Sequence, residues 1–252
     1  MSGTERRRAR VAARNAATLG ILGHMSTPGN TSVIFDLDGT LVDSEPNYYE
    51  AARQVLARYG LPDFSWEQHA RFIGIGTRET LEILDRQHTL TGTVEEMLTA
   101  KNAAYLELAR ASTEVFPEMR AFVERLRAEG VRTAVASGSS RSAIDAVLAG
   151  TGLASAMDLV VSAEEVEHGK PEPDVFLEAA RRLGADPADC VVLEDAPPGA
   201  AAAHAAGMRC IAVPYLPQSS DDPAFATAGL LFPGGQREFS AERAYAWLSA
   251  TS

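Results

Sequence analysis

The sequence predicts an α/β fold: a doubly wound, mostly parallel sheet with an all-helical cap inserted after its first strand. Three observations predict it. Short apolar runs alternate with helical stretches over most of the chain, the pattern of βα units that build parallel sheets. Residues 47 to 111 interrupt that alternation and read as helix throughout. Small, polar or charged residues follow several of the predicted strands, at the edge where open α/β sheets bind ligands.

The elements follow in order. Val33 to Phe35 is a buried strand ending on Asp36 and Asp38, with Gly39 breaking it at once. Ala51, Val55, Leu56 and Tyr59 recur at helical spacing, and Gly60 with Pro62 closes that helix. Further cap helices are marked by Thr80, Leu81, Ile83 and Leu84, and by Val94, Met97 and Leu98 through Leu108. From Phe116 the alternation returns. A helix over 117–129 ends at Gly130, and a strand over 131–136 stops at Ser137-Gly138-Ser139-Ser140. A helix over 141–150 precedes a short strand near Leu159–Val161. Another helix opens after Lys170-Pro171 and ends at Gly184. Val191 to Leu193 forms a strand ending on Glu194-Asp195, followed by a helix over 198–206 and a strand over 210–213. Leu230 to Phe232 reads as a last edge strand before a terminal helix capped by Ser240. This places the α/β core at 31–46 and 112–252 and the cap at 47–111, with 1–30 as a disordered basic extension. That extension carries Arg6, Arg7, Arg8, Arg10 and Arg14 against Glu5, and Met25 is a second candidate start.

Composition narrows the function. The formal net charge of −11 argues against nucleic acid or an anionic membrane as the main partner. No apolar run is long enough to cross a bilayer. The two cysteines, Cys190 and Cys210, sit in apolar strands and read as buried thiols of a reducing, cytoplasmic compartment. His69, His88, His168 and His204 show no metal-ligand spacing and read as surface or packing residues, with His168 close enough to Lys170 to touch the site.

Asp36 and Asp38 carry the chemistry. Two carboxylates crowded at a strand end repel each other, and a hard cation is the usual remedy. With a cation on one oxygen, the other oxygen of Asp36 is free to attack an electrophile. Ser137 offers a hydroxyl, the N–H groups of Gly138 and Ser139 offer donors, and Lys170 offers a point charge. Taken singly, each has a plainer reading: a helix cap, a surface turn, solvated loop acids.

The runs DLDGTLVDSE, ASGSS, GKPEPDVF and EDAPPGAAAAHAAGM resemble the four motifs of the haloacid-dehalogenase superfamily of phosphotransferases, in the family's order. The resemblance implies a Rossmann-like core with a helical cap over the site. It implies Asp36 as nucleophile and Asp38 as general acid and base. Ser137 and Lys170 would act on the transferring phosphate, and Asp36, Asp38, Glu194 and Asp195 would hold Mg2+. Because Asp38 is present, phosphoryl transfer is expected and dehalogenation is not.

DSEP and Phe72-Ile73-Gly74 resemble the β-phosphoglucomutase-like subgroup, with Tyr48 where the mutases carry histidine. Arg78 stands near the position of a mutase arginine that binds a second phosphate, and VPYLPQSSDDPAF resembles the sugar-phosphate phosphatases. Tyr48, Arg78, Ser137, Gly138, Ser139 and Lys170 are therefore the expected substrate contacts. The expected function is a Mg2+-dependent phosphatase of a small sugar or polyol phosphate, acting as a monomer. A hexose-phosphate mutase and a non-catalytic phosphosugar-binding module are the alternatives.

Overall fold

The computed structural model describes residues 30–73 and 75–250. The basic extension expected over 1–30 lies, but for Asn30, outside them. The first strand, β1 (Ser32–Phe35), is followed by a two-residue strand, β2 (Val42–Asp43). Four cap helices come next: α1 (Glu45–Arg58), α2 (Trp66–His69), α3 (Thr77–His88) and α4 (Val94–Ser112). Capping boxes start α2 at Ser65/Gln68 and α4 at Thr93/Glu96, satisfying N–H groups that have no partner inside the helix. The chain then runs through β3 (Glu114–Val115), α5 (Pro117–Ala128), β4 (Arg132–Ser137) and α6 (Arg141–Thr151). It continues with β5 (Leu159–Ser162), α7 (Asp174–Leu183), β6 (Cys190–Glu194) and α8 (Pro197–Ala205). It closes with β7 (Arg209–Ala212), β8 (Leu230–Leu231) and α9 (Ala241–Ala250).

Six strands form one sheet in the order β5-β4-β1-β6-β7-β8, and every neighbouring pair is parallel. The fold is thus the α/β, parallel-sheet architecture that the alternation predicts. β1 lies at the centre, where the chain reverses its direction of winding, and such a switch point opens a crevice at the strands' carboxyl ends. Alternate residues face opposite sides. Val33 and Phe35 join the core under α5, α6 and α9, with Phe122, Leu193 and Leu248. Ile34 joins the opposite core with Phe176, Val192 and Ala203 under α7 and α8. Cys190 and Cys210 are buried in this second layer as free thiols.

One element escapes the sequence pattern. β2 and β3 pair antiparallel, Val42 with Val115 and Asp43 with Glu114, and this ribbon brackets the helical insert. At two residues per strand it is too short to show alternation. The insert has its own small core of Val55, Leu56, Phe64, Leu81, Leu84 and Met97, which is why it folds as a cap rather than as part of the sheet layer. Among the described residues, no helix is long and apolar enough to cross a membrane.

Candidate active site

The carboxyl ends of β1, β4 and β6, with the loop after β5, converge on a cavity of about 580 Å3 roofed by the cap. Asp36 follows β1 directly, its N–H donating to the Leu193 carbonyl at 3.0 Å, so the strand pairing itself sets its position. Lys170 Nζ lies 2.5 Å from Asp36 Oδ1 and 2.6 Å from Glu194 Oε1, and 4.8 Å over the Phe176 ring. The other Glu194 oxygen accepts the N–H groups of Asp195 and Ala196, at 2.9 and 3.0 Å. Both oxygens of Glu194 are therefore engaged. Asp195 Oδ1 accepts from the Thr40 hydroxyl at 3.0 Å. Gly39, at φ 81°, passes so close to the Asp195 carboxylate that a Cβ would collide with it.

The floor of the cavity gathers the carboxylates of Asp36, Asp38, Glu194 and Asp195 near Lys170, which pairs with two of them. Burial pushes Asp36 up to about 8, with Glu194 and Asp38 adding to the rise and Lys170 opposing it. Burial likewise raises Asp195 well above the usual carboxylate range, helped by Glu194 and Asp36. Burial works against the Lys170 ammonium, but Asp36 and Glu194 more than offset it and hold the lysine protonated.

Asp38 is held differently, by hydroxyls. Its Oδ2 accepts from Ser139 Oγ at 2.6 Å and, at a long 3.4 Å, from Ser137 Oγ. Its Oδ1 accepts from the Tyr105 hydroxyl of α4 at 3.2 Å. Ser139 has one hydroxyl proton and gives it to Asp38, so the 2.8 Å contact to Tyr48 must run from the tyrosine to the serine. Tyr48 stacks on Tyr105 at 4.0 Å, and burial and the Asp38 charge raise its phenol well above the ordinary value. Tyr48, Ser139, Asp38 and Tyr105 thus join cap to core in one continuous chain of contacts.

The structure brings Asp36, Asp38, Ser137, Gly138, Ser139, Lys170, Glu194, Asp195 and Tyr48 onto one cavity. The N–H of Ser139 is not open to a ligand as expected, because it donates to Ser137 Oγ at 3.0 Å. Arg78 is not brought to the cavity. Its guanidinium is exposed and pairs with Glu95 at 2.7 Å, since both residues lie in the first turns of adjacent helices. His168 is also turned away, exposed and paired with Asp174 at 3.2 Å.

Besides Tyr105, the unforeseen lining residues include Lys101, Glu45 and His69. Lys101 is 6% exposed and donates to Thr77 Oγ1 at 3.1 Å. Its signal was legible: Met97, Lys101, Tyr105 and Ala109 form an unbroken i, i+4 buried stripe, and a charge on such a stripe requires a reason. Glu45, in the DSEP run, and His69, expected at the surface or in packing, are joined at 2.9 Å on the same wall. Outside the cavity, Gln236 donates from Nε2 to the carbonyls of Gly39 and Thr40, at 3.2 and 2.9 Å, and steadies the turn behind Asp38.

The model of the haloacid dehalogenase-like hydrolases matches residues 31–207. The chain belongs to that family. It is 34% identical over 195 residues to a bifunctional riboflavin kinase/FMN phosphatase of Arabidopsis thaliana; the match covers 76% of this chain but only half of that protein. It is 32% identical over 208 residues to hexitol phosphatase B of Escherichia coli, covering 82% of this chain and 93% of that one. Among solved structures, CbbY from Rhodobacter sphaeroides in complex with phosphate aligns with a TM-score of 0.70 at 25% identity, over 82% of this chain and 95% of CbbY. The chain is thus an enzyme, a haloacid dehalogenase-like hydrolase.

Proposed function

We propose that this hydrolase is a Mg2+-dependent phosphatase of small sugar or sugar-alcohol phosphate monoesters, working through an aspartyl-phosphate. The observation that carries the reading is the arrangement around Asp36: a buried carboxylate at the end of the central strand, 2.5 Å from Lys170, with Asp38 two residues on and held by hydroxyls. The likeness to a hexitol phosphatase supports the substrate class.

In this mechanism Asp36 attacks phosphorus and the ester oxygen leaves. Asp38 gives that oxygen its proton, then takes one from the water that cleaves the aspartyl-phosphate. Lys170 and Ser137 stabilise charge on the transferring group. Glu194, with one oxygen on Lys170 and the other on two backbone N–H groups, fixes the lysine's position.

The residues suit a hard divalent cation. Among the described residues no three acidic, histidine or cysteine side chains form a ready-made cage, but Mg2+ typically binds through one or two carboxylates and keeps waters. Asp36 and Asp195 are two buried carboxylates whose charges Lys170 alone does not balance. They would hold Mg2+ together with the backbone carbonyl of Asp38. The ion would keep Asp36 ionised and screen it from the incoming phosphate.

Of the features that bear on the mutase alternative, Arg78 lies outside the cavity and pairs with Glu95, and Tyr48 stands where the mutases carry histidine. The test is phosphate release from a panel of sugar, sugar-alcohol and nucleotide monophosphates, with Mg2+ and with EDTA. Metal-dependent release that disappears in Asp36→Asn is expected. Release that survives Asp36→Asn would remove the aspartyl-phosphate route.

A further inference from the structure

Two of the cavity residues that the reaction leaves without a task form a pair. Glu45 opens α1 and His69 closes α2, and both line the cavity from the cap. Their side chains are 13% and 8% exposed, and His69 Nε2 lies 2.9 Å from Glu45 Oε2. A carboxylate only accepts, so the imidazole N–H donates. The ring cannot drift, because Tyr49, Trp66 and Phe64 surround it at centroid distances of 5.6, 5.3 and 6.4 Å. His69 therefore fixes one carboxylate oxygen. Among the described residues the other oxygen, Oε1, has no hydrogen-bond partner, and it is not sealed from solvent. It remains a strong acceptor on the cavity.

An acceptor pre-positioned by an aromatic-caged histidine suits a ligand hydroxyl, which can donate to it. It does not suit a second phosphate, which like charge would repel. We propose that the Glu45–His69 pair is a specificity-determining element that accepts a hydrogen bond from a hydroxyl of the leaving group, selecting polyhydroxylated phosphate monoesters over apolar ones. The proposal rests on the phosphatase reading above and deepens it.

Glu45→Gln keeps size but not chemistry. If the amide oxygen stays on His69, an NH2 donor replaces the acceptor on the cavity. The measurement is kcat/KM for a hexitol 6-phosphate divided by kcat/KM for p-nitrophenyl phosphate. The ratio should fall about tenfold in Glu45→Gln, the effect of losing a hydrogen bond to a charged group in a specificity site, and fall by less in His69→Gln. A ratio unchanged in both variants overturns the proposal, whether the two rates fall together or not at all.

A wild-type protein that cleaves neither ester would overturn the phosphatase reading itself. The pair is then tested without turnover, by calorimetric binding of the hexitol phosphate to Asp36→Asn with and without Glu45→Gln. A tenfold weaker affinity in the double variant supports the pair, and equal affinity or no binding by either overturns it.

Discussion

Replacing Lys101 with methionine should make the protein more stable near neutral pH, and by an amount that depends on pH in a predictable way. Burial lowers the Lys101 ammonium from 10.5 to about 8, with Glu45 opposing that drop. In the unfolded chain the lysine titrates at its ordinary value. Between pH 8 and 10.5 the unfolded state therefore holds more protons, and stability rises with pH across that window. Below about pH 8 the full burden is present, about 3 kcal/mol for a drop of this size. Methionine removes the charge but loses the bond to Thr77, a loss of about 1 kcal/mol. Lys101→Met should thus gain about 2 kcal/mol at pH 7, and the gain should shrink by about 2 kcal/mol at pH 9.5, where the native lysine is already neutral. Urea unfolding of both proteins at the two pH values measures this, since all other titrating groups are shared. A variant less stable than wild type at pH 7, or a difference that does not change with pH, would refute the reasoning.

Two further outcomes follow from the contacts around Glu194. Lys170→Met leaves Asp36 and Glu194 buried without their cation, so it should cost about 3–5 kcal/mol in urea unfolding at pH 7, besides abolishing phosphate release. A folded variant of wild-type stability would mean that the lysine is not paired as described. Gly199→Ala places a Cβ against the Glu194 carboxyl, forcing it off Lys170 and off the N–H groups of Asp195 and Ala196. On helix propensity alone alanine would stabilise by about 1 kcal/mol. Here a loss of about 1–3 kcal/mol together with a fall in kcat is expected, and the sign of the stability change decides between the two.

The sheet and the catalytic floor were legible for one physical reason. In a parallel βα fold, each strand's last residues lie at the same edge, so Asp36, Ser137 and Glu194-Asp195 could be assigned to one place from chain order alone. No such rule relates the cap to the core. The contacts of Tyr105 with Asp38 and of Tyr48 with Ser139 cross 67 and 91 residues of chain and depend on how the cap sits on the sheet. Arg78 shows the same limit from the other side. Its place in the sequence pointed to the cavity, but the facing turns of α3 and α4 give it Glu95 instead.

Lys101 and Glu45–His69 lie between these cases, because each is a polar group on an apolar helical or aromatic surface. A buried charge or polar pair disfavours folding unless something offsets it. Where the protein's own contacts leave an oxygen of Glu45 unpartnered, a ligand donor would supply the missing bond. Strand ends therefore set the floor of this site, while the Glu45 oxygen left free by His69 is the group through which the cap would choose among esters.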